Sequence, residues 1–149
     1  MSLQKEVMLK IKEAMLNKDA LALESLRAIK SELLLLQTKS GAGTEISDEN
    51  EIKLLQKMVK QRKDSAAVYT EQGRKDLAEP ELQQIKIIEQ FLPKQVGVDE
   101  IKKVVDDIIA ETGATSMKDM GKVMGMASKQ LAGKADGKTI STVVKQQLQ

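Results

Sequence analysis

A chain of 149 residues with only two aromatic side chains, Tyr69 and Phe91, has few ways to build a core. Leu, Ile, Val, Met and Ala must fill the interior, and these suit helix-on-helix packing better than a sandwich or barrel, whose faces draw on aromatic and β-branched residues. The feature predicts an all-α fold. Apolar residues make up 41% of the chain and charged residues 31%, enough for a packed interior under a solvated surface. No strand-length run bounded by hairpin turns and no internal repeat opposes that reading.

The absence of Cys and His narrows the chemistry further. It removes disulfides, thiolate nucleophiles, imidazole bases and the usual Cys/His zinc and haem sites. Asp106/Asp107 and Glu79/Glu81 sit in amphipathic helical patterns at spacings that do not converge on a pocket, and no phosphate-binding loop or dinucleotide fingerprint accompanies them. No catalytic residues, metal ligands or cofactor are therefore expected. Met1 to Met15 is amphipathic and carries Lys and Glu, so neither a signal peptide nor a bilayer span is expected, and the chain reads as a cytoplasmic protein without membrane attachment.

Periodicity divides the chain into two expected lobes, residues 1–93 and 99–149, with residues 94–98 as linker. Leu3, Val7, Met8, Ile11 and Met15 recur at helical spacing, and Asp19 is suited to cap the helix that follows. Leu23, Leu26, Ile29, Leu33 and Leu36 form a second stripe, with Leu34 and Leu35 suggesting burial on more than one side. Ser40 to Asp48 reads as a loop, with Ser47 or Asp48 as the next cap. Ile52, Leu55, Val59, Arg62, Ala66 and Tyr69 alternate in steps of three and four, ending at Gly73. Arg62, a structural residue on this seam, should be held by a carboxylate or by carbonyls, with Asp76 and Glu32 as candidates. A fourth helix carries Leu77 to Leu92, with Pro80 requiring the first turn or a kink, and Pro93 stops it. After Asp99 as expected N-cap come three short helices, carrying Ile101 to Ile109, Met120 to Leu131, and Ile140 to Leu148.

The segment from Lys118 to Gly137 is the most unusual. Gly121 and Gly125 fall one turn apart inside a predicted helix, where each costs about 1 kcal/mol relative to Ala, so close backbone approach is expected on that face. A tightly packed helix and a nucleic-acid backbone are both open as the approaching body. Although the whole chain carries a net charge of only +2, residues 117–149 hold six lysines, at 118, 122, 129, 134, 138 and 145, against Asp119 and Asp136. The default reading of such charge is a solvated face, as for Lys53, Lys57 and Lys60 with Lys63, Arg74 and Lys75. Arranged beside glycines and a helix N-terminus, the later lysines form a candidate phosphate-contacting surface. Asp136 is read as the structural N-cap of the last helix, with Gly133 and Gly137 permitting its turn. With two aromatics, any RNA would be recognised by shape and backbone rather than base stacking.

Five ordered motifs carry a resemblance: KQRKDS at 60–65, GRKDL at 73–77, FLPKQ at 91–95, DMGKVMG at 119–125 and GKADG at 133–137. Together they resemble the YqeY family over essentially the whole chain. That family is similar to the C-terminal tail of the GatB subunit of tRNA-dependent amidotransferase, a tail implied to contact tRNA. The likeness is strongest at MGKVMG and GKADG. It implies a tRNA-contacting role for Lys118, Gly121, Lys122, Gly125 and Lys134, with their neighbours Lys129, Gly133 and Gly137. The catalytic part of GatB has no counterpart here.

The leading expectation is a non-catalytic, monomeric accessory protein that binds tRNA, beside an amidotransferase or aminoacyl-tRNA synthetase complex. One alternative is a protein-interaction module that docks a partner helix on the Met-rich, Gly-containing face. Another is participation in glutamine-dependent amide transfer.

Overall fold

The computed structural model describes residues 2–41 and 43–149, and all of its regular structure is helical. Met1, where the amphipathic N-terminal stretch begins, and Ala42 of the Ser40–Asp48 loop lie outside the described residues. Two compact units follow one another along the chain, one ending at Leu92 and the other beginning at Pro93.

The N-terminal unit contains α1 (Leu3–Leu16), α2 (Ala20–Ser40), α3 (Asp48–Glu71) and α4 (Lys75–Glu89). Side-chain caps start the first three: Ser2 accepts from the Lys5 amide, Asp19 from Ala22 and Ser47 from Asn50. Each satisfies a first-turn donor that has no partner within the helix. Lys18 takes φ +55° to turn the chain between α1 and α2, and Gly73, at φ +71°, ends α3 in the left-handed region that glycine enters without a Cβ penalty. α1 packs on α2, while α2 and α3 both pack on α4. Their shared core includes Val7, Leu26, Ile29, Leu33, Leu55, Met58 and Ile88.

Several local expectations are corrected. Leu34 and Leu35 are 45% and 57% exposed, so α2 buries one stripe and leaves these leucines in solvent. Met8 and Met15 of α1 are likewise exposed, and Ala14 takes the core position that Met15 was expected to fill. Pro80 lies in the second turn of α4, on an exposed position, and the helix continues through it. Its missing N–H leaves the Asp76 carbonyl to water, which an exposed position allows. Arg62 donates from Nε to Gln84 Oε1 at 2.9 Å and from Nη1 to the Met58 carbonyl at 3.2 Å. Carbonyl oxygens on α3 and α4 hold it, as one of the two expected kinds of partner, and the candidates Asp76 and Glu32 do not. Asp76 is instead clasped by Arg74, at 3.1 and 3.0 Å, which lowers the Asp76 carboxyl below its usual range.

The C-terminal unit contains α5 (Val98–Thr112), a short 3-10 turn (Met117–Asp119), α6 (Met120–Gln130) and α7 (Gly137–Leu148). The three helices pack pairwise around Ile101, Val105, Ile108, Val123, Ala127, Leu131, Ile140, Val143 and Val144. Fully burying each of the larger aliphatic side chains contributes roughly 1.5–3 kcal/mol. Gly97, not Asp99, is the N-cap of α5; Asp99 and Glu100 lie in the first turn, where their charge complements the helix dipole. Gln95 and Val96 are pinned within this unit. Gln95 Nε2 donates to the Gly133 carbonyl at 2.7 Å and to the Pro93 carbonyl at 2.9 Å, while the Val96 amide donates to the Lys134 carbonyl at 3.0 Å.

Candidate nucleic-acid interface

The candidate surface is built on α6, and its approach is set by two short side chains. Ser116 accepts from the Lys118 amide at 3.4 Å, and Asp119 reaches back to accept from the Thr115 amide at 3.1 Å. This reciprocal arrangement resembles a capping box and places Lys118 in the exposed turn before the helix. Along α6 the core side is Val123 and Ala127, followed by Leu131. At about 100° per residue, the side turned away from them carries Gly121, Lys122, Gly125, Ser128 and Lys129. All five are exposed.

The glycine face is open. Within the C-terminal unit no atom lies within 4 Å of where a Cβ would stand at Gly121 or Gly125. The packed-helix explanation for these glycines is therefore overturned inside this unit: they lie on the solvent side of α6, with α5 and α7 on the other.

Beyond the C-terminus of α6, Gly133 takes φ +76°, and the Lys134 and Ala135 amides both donate back to the Leu131 carbonyl. Gly133 is buried and its carbonyl is engaged by Gln95, so it shapes the turn and presents no contact surface. Lys134 is exposed at the tip of that turn, its backbone fixed on both sides. Asp136 caps α7, accepting from the Thr139 amide at 3.2 Å and the Thr139 hydroxyl at 2.6 Å. Gly137 is the exposed first residue of α7. The structure thus gathers Gly121, Lys122, Gly125 and Lys129 on one helix face with Lys118 just before it, and places Lys134 and Gly137 beyond the far end of α6. Pro93 and Arg62 lie off this surface, Pro93 accepting from Gln95 and Arg62 bracing α3 against α4.

The electrostatics follow from the caps. Asp119 and Asp136, the two acids among residues 117–149, both point at backbone amides, Asp119 at that of Thr115 before the 3-10 turn and Asp136 at that of Thr139 in the first turn of α7. Among the described residues none of Lys118, Lys122, Lys129 and Lys134 is in an ion pair. A solvent-facing set of ammonium groups beside bare backbone suits a polyanion whose charges are spaced along a chain. Among the described residues no group of three or more acidic side chains could hold a metal ion. The Gln95 clamp gave no sequence signal, because a lone amide in a polar stretch has no period to betray its partner.

A profile of the family described as Yqey-like protein matches residues 4–148. The chain belongs to the Yqey-like family. This is not a family known for catalysis. The chain is also similar to the protein named altered inheritance of mitochondria protein 41, mitochondrial, from two yeasts. With that of Vanderwaltozyma polyspora it shares 28% identity over 74% of this chain and 62% of the relative. With that of Clavispora lusitaniae it shares 38% identity over 55% of this chain and 46% of the relative. The chain therefore spans less than two thirds of the length of these relatives. Their names also correct the cytoplasmic expectation, since both relatives are mitochondrial by name. That expectation rested on the lack of a span, and among the described residues no helix is long and apolar enough to cross a membrane. Such a lack bears on bilayer crossing by helices and does not distinguish one aqueous compartment from another.

Proposed function

We propose that this Yqey-like chain is a non-catalytic accessory protein that binds tRNA through the outward face of α6 and the Lys134 turn, in association with tRNA-dependent amidotransfer or aminoacylation. The observation that carries the reading is the open glycine face. Two glycines on the solvent side of a helix, each costing about 1 kcal/mol, have no packing explanation within their unit, and lysines flank them. A phosphodiester backbone can approach such a helix more closely than one bearing side chains. The resemblance of MGKVMG and GKADG to the amidotransferase tail points to the same residues.

Replacing Lys118, Lys122 and Lys134 together by Ala should weaken tRNA binding in a mobility-shift assay and flatten its salt dependence, while circular dichroism stays unchanged. Unaltered affinity and salt slope in that variant would remove the assigned surface. A partner helix docked on the same face is the second reading, favoured by Met117, which is 43% exposed just before α6. Co-purification that survives nuclease treatment would favour the helix; co-purification that nuclease abolishes would favour RNA.

A further inference from the structure

The N-terminal unit carries a groove that the tRNA reading does not use. α2 and α3 are consecutive and both rest on α4, yet they touch each other sparsely, leaving a furrow of about 260 Å³ between the C-terminal half of α2 and the first turns of α3. Leu35, Leu36 and Leu54 are the apolar members of its lining, and the exposed Lys39, Lys53 and Lys57 form its rim. Glu32 is the acid in the lining and Asn50 adds an amide. Leu35 is 57% exposed, and its neighbour Leu34 is 45% exposed. Lys53 is paired with Glu49 at 2.9 Å, whereas among the described residues neither Lys39 nor Lys57 is in an ion pair.

We propose that this groove docks an acidic amphipathic helix of a partner protein. The partner's apolar side chains would rest on Leu35, Leu36 and Leu54, and its carboxylates would meet Lys39 and Lys57. Charge and shape select this occupant. A concave, leucine-lined furrow between two long helices accepts a rod with apolar residues at helical spacing. An excess of lysine on the rim complements acidic flanks and repels basic ones. A second copy in a two-fold contact would set these lysines against themselves. RNA would leave the leucines without an apolar counterpart, since no aromatic residue lines the furrow for base stacking.

The test uses the full chain and two fluorescent synthetic helical peptides, both with leucines at i, i+3, i+4 and i+7, one flanked by glutamates and the other by lysines. Anisotropy should show binding of the glutamate peptide and none of the lysine peptide. The double variant Lys39→Glu/Lys57→Glu should lose at least about tenfold in affinity for the first and gain affinity for the second. Leu35→Ser, at an exposed position, should weaken both while leaving circular dichroism unchanged, and serves if the double variant misfolds. Equal binding of the two peptides, or an unchanged preference in the charge-swapped variant, would overturn the proposal. So would concentration-dependent dimerisation that Leu35→Ser abolishes, or loss of binding to tRNA or to phosphatidylserine vesicles in the double variant. The Lys118/Lys122/Lys134 variant should keep peptide binding, so failure of the groove and failure of the tRNA surface are read separately.

Discussion

Arg62 is a charged residue in the middle of an apolar seam, and it is accommodated because its planar fork can donate in two directions. One arm reaches an amide oxygen on α4 and another a backbone carbonyl on its own helix. The need for oxygen partners was legible from the seam position. Their identity was not, because Gln84 lies 22 residues away and only the helix crossing brings it within reach. Glu51 shows the opposite balance. Partial burial pushes its carboxyl above the usual glutamate value, helped by the negative charges of Asp48 and Glu6. A carboxyl raised in the folded state contributes its stability fully below the unfolded value and loses it as pH rises through the folded one. At neutral pH the ionised Glu51 is therefore a liability. Glu51→Gln should raise Tm at pH 7 by about 1–2 °C, and the gain should shrink away as pH falls below about 4.3, where both side chains are neutral. Thermal melts at pH 7 and pH 3.5 check this; a gain that is equal at both, or a loss at pH 7, would show that charge is not the cause.

The helices were legible because each carries its own period and several carry a boundary signal: the N-caps Asp19, Ser47 and Asp136 and the terminating Gly73 stand where local chemistry calls for them. What periodicity does not reveal is how wide an apolar stripe the neighbours cover. Leu34 and Leu35 read as buried because they extend the apolar stripe of Leu23, Leu26, Ile29, Leu33 and Leu36, yet α1, α3 and α4 together leave one side of α2 uncovered. On α6 the sequence marked Gly121 and Gly125 correctly as anomalous, but which side they face depends on where α5 and α7 pack. With open space at both positions, Gly121→Ala and Gly125→Ala should each stabilise the chain by about 1 kcal/mol, read as a higher denaturant midpoint. If tRNA approaches the bare helix, the same variants should bind it more weakly. A chain made more stable and less able to bind RNA separates function from packing; alanine variants that are more stable and bind equally well would limit the role of α6 to its lysines.

At the scale of the molecule, the contacts sort into two cores with no shared member, one closed by Leu92 and the other opening at Pro93. Pro93 was the signal for a boundary in the sequence, and residues 94–98 after it were read as a short linker. Their backbone and amide bonds to Gly133 and Lys134 instead make them the first strap of the C-terminal unit. Small units are marginal, so such bonds matter in proportion: each hydrogen bond contributes about 0.5–1.5 kcal/mol, against a total that for a short chain is only a few kcal/mol. We expect residues 93–149 expressed alone to be helical and to melt cooperatively, and residues 99–149 to be less stable by about 1–3 kcal/mol, because the Gln95 and Val96 bonds and the Gly97 cap are gone. Within the longer piece, Gln95→Leu should reproduce part of that loss, since it removes the side-chain donor while leaving the Val96 amide in place. Circular dichroism melts of the three pieces decide it. A broad, non-cooperative transition for residues 93–149 would mean that this core depends on the N-terminal unit, and equal midpoints for the two truncations would mean that the strap adds nothing to its stability.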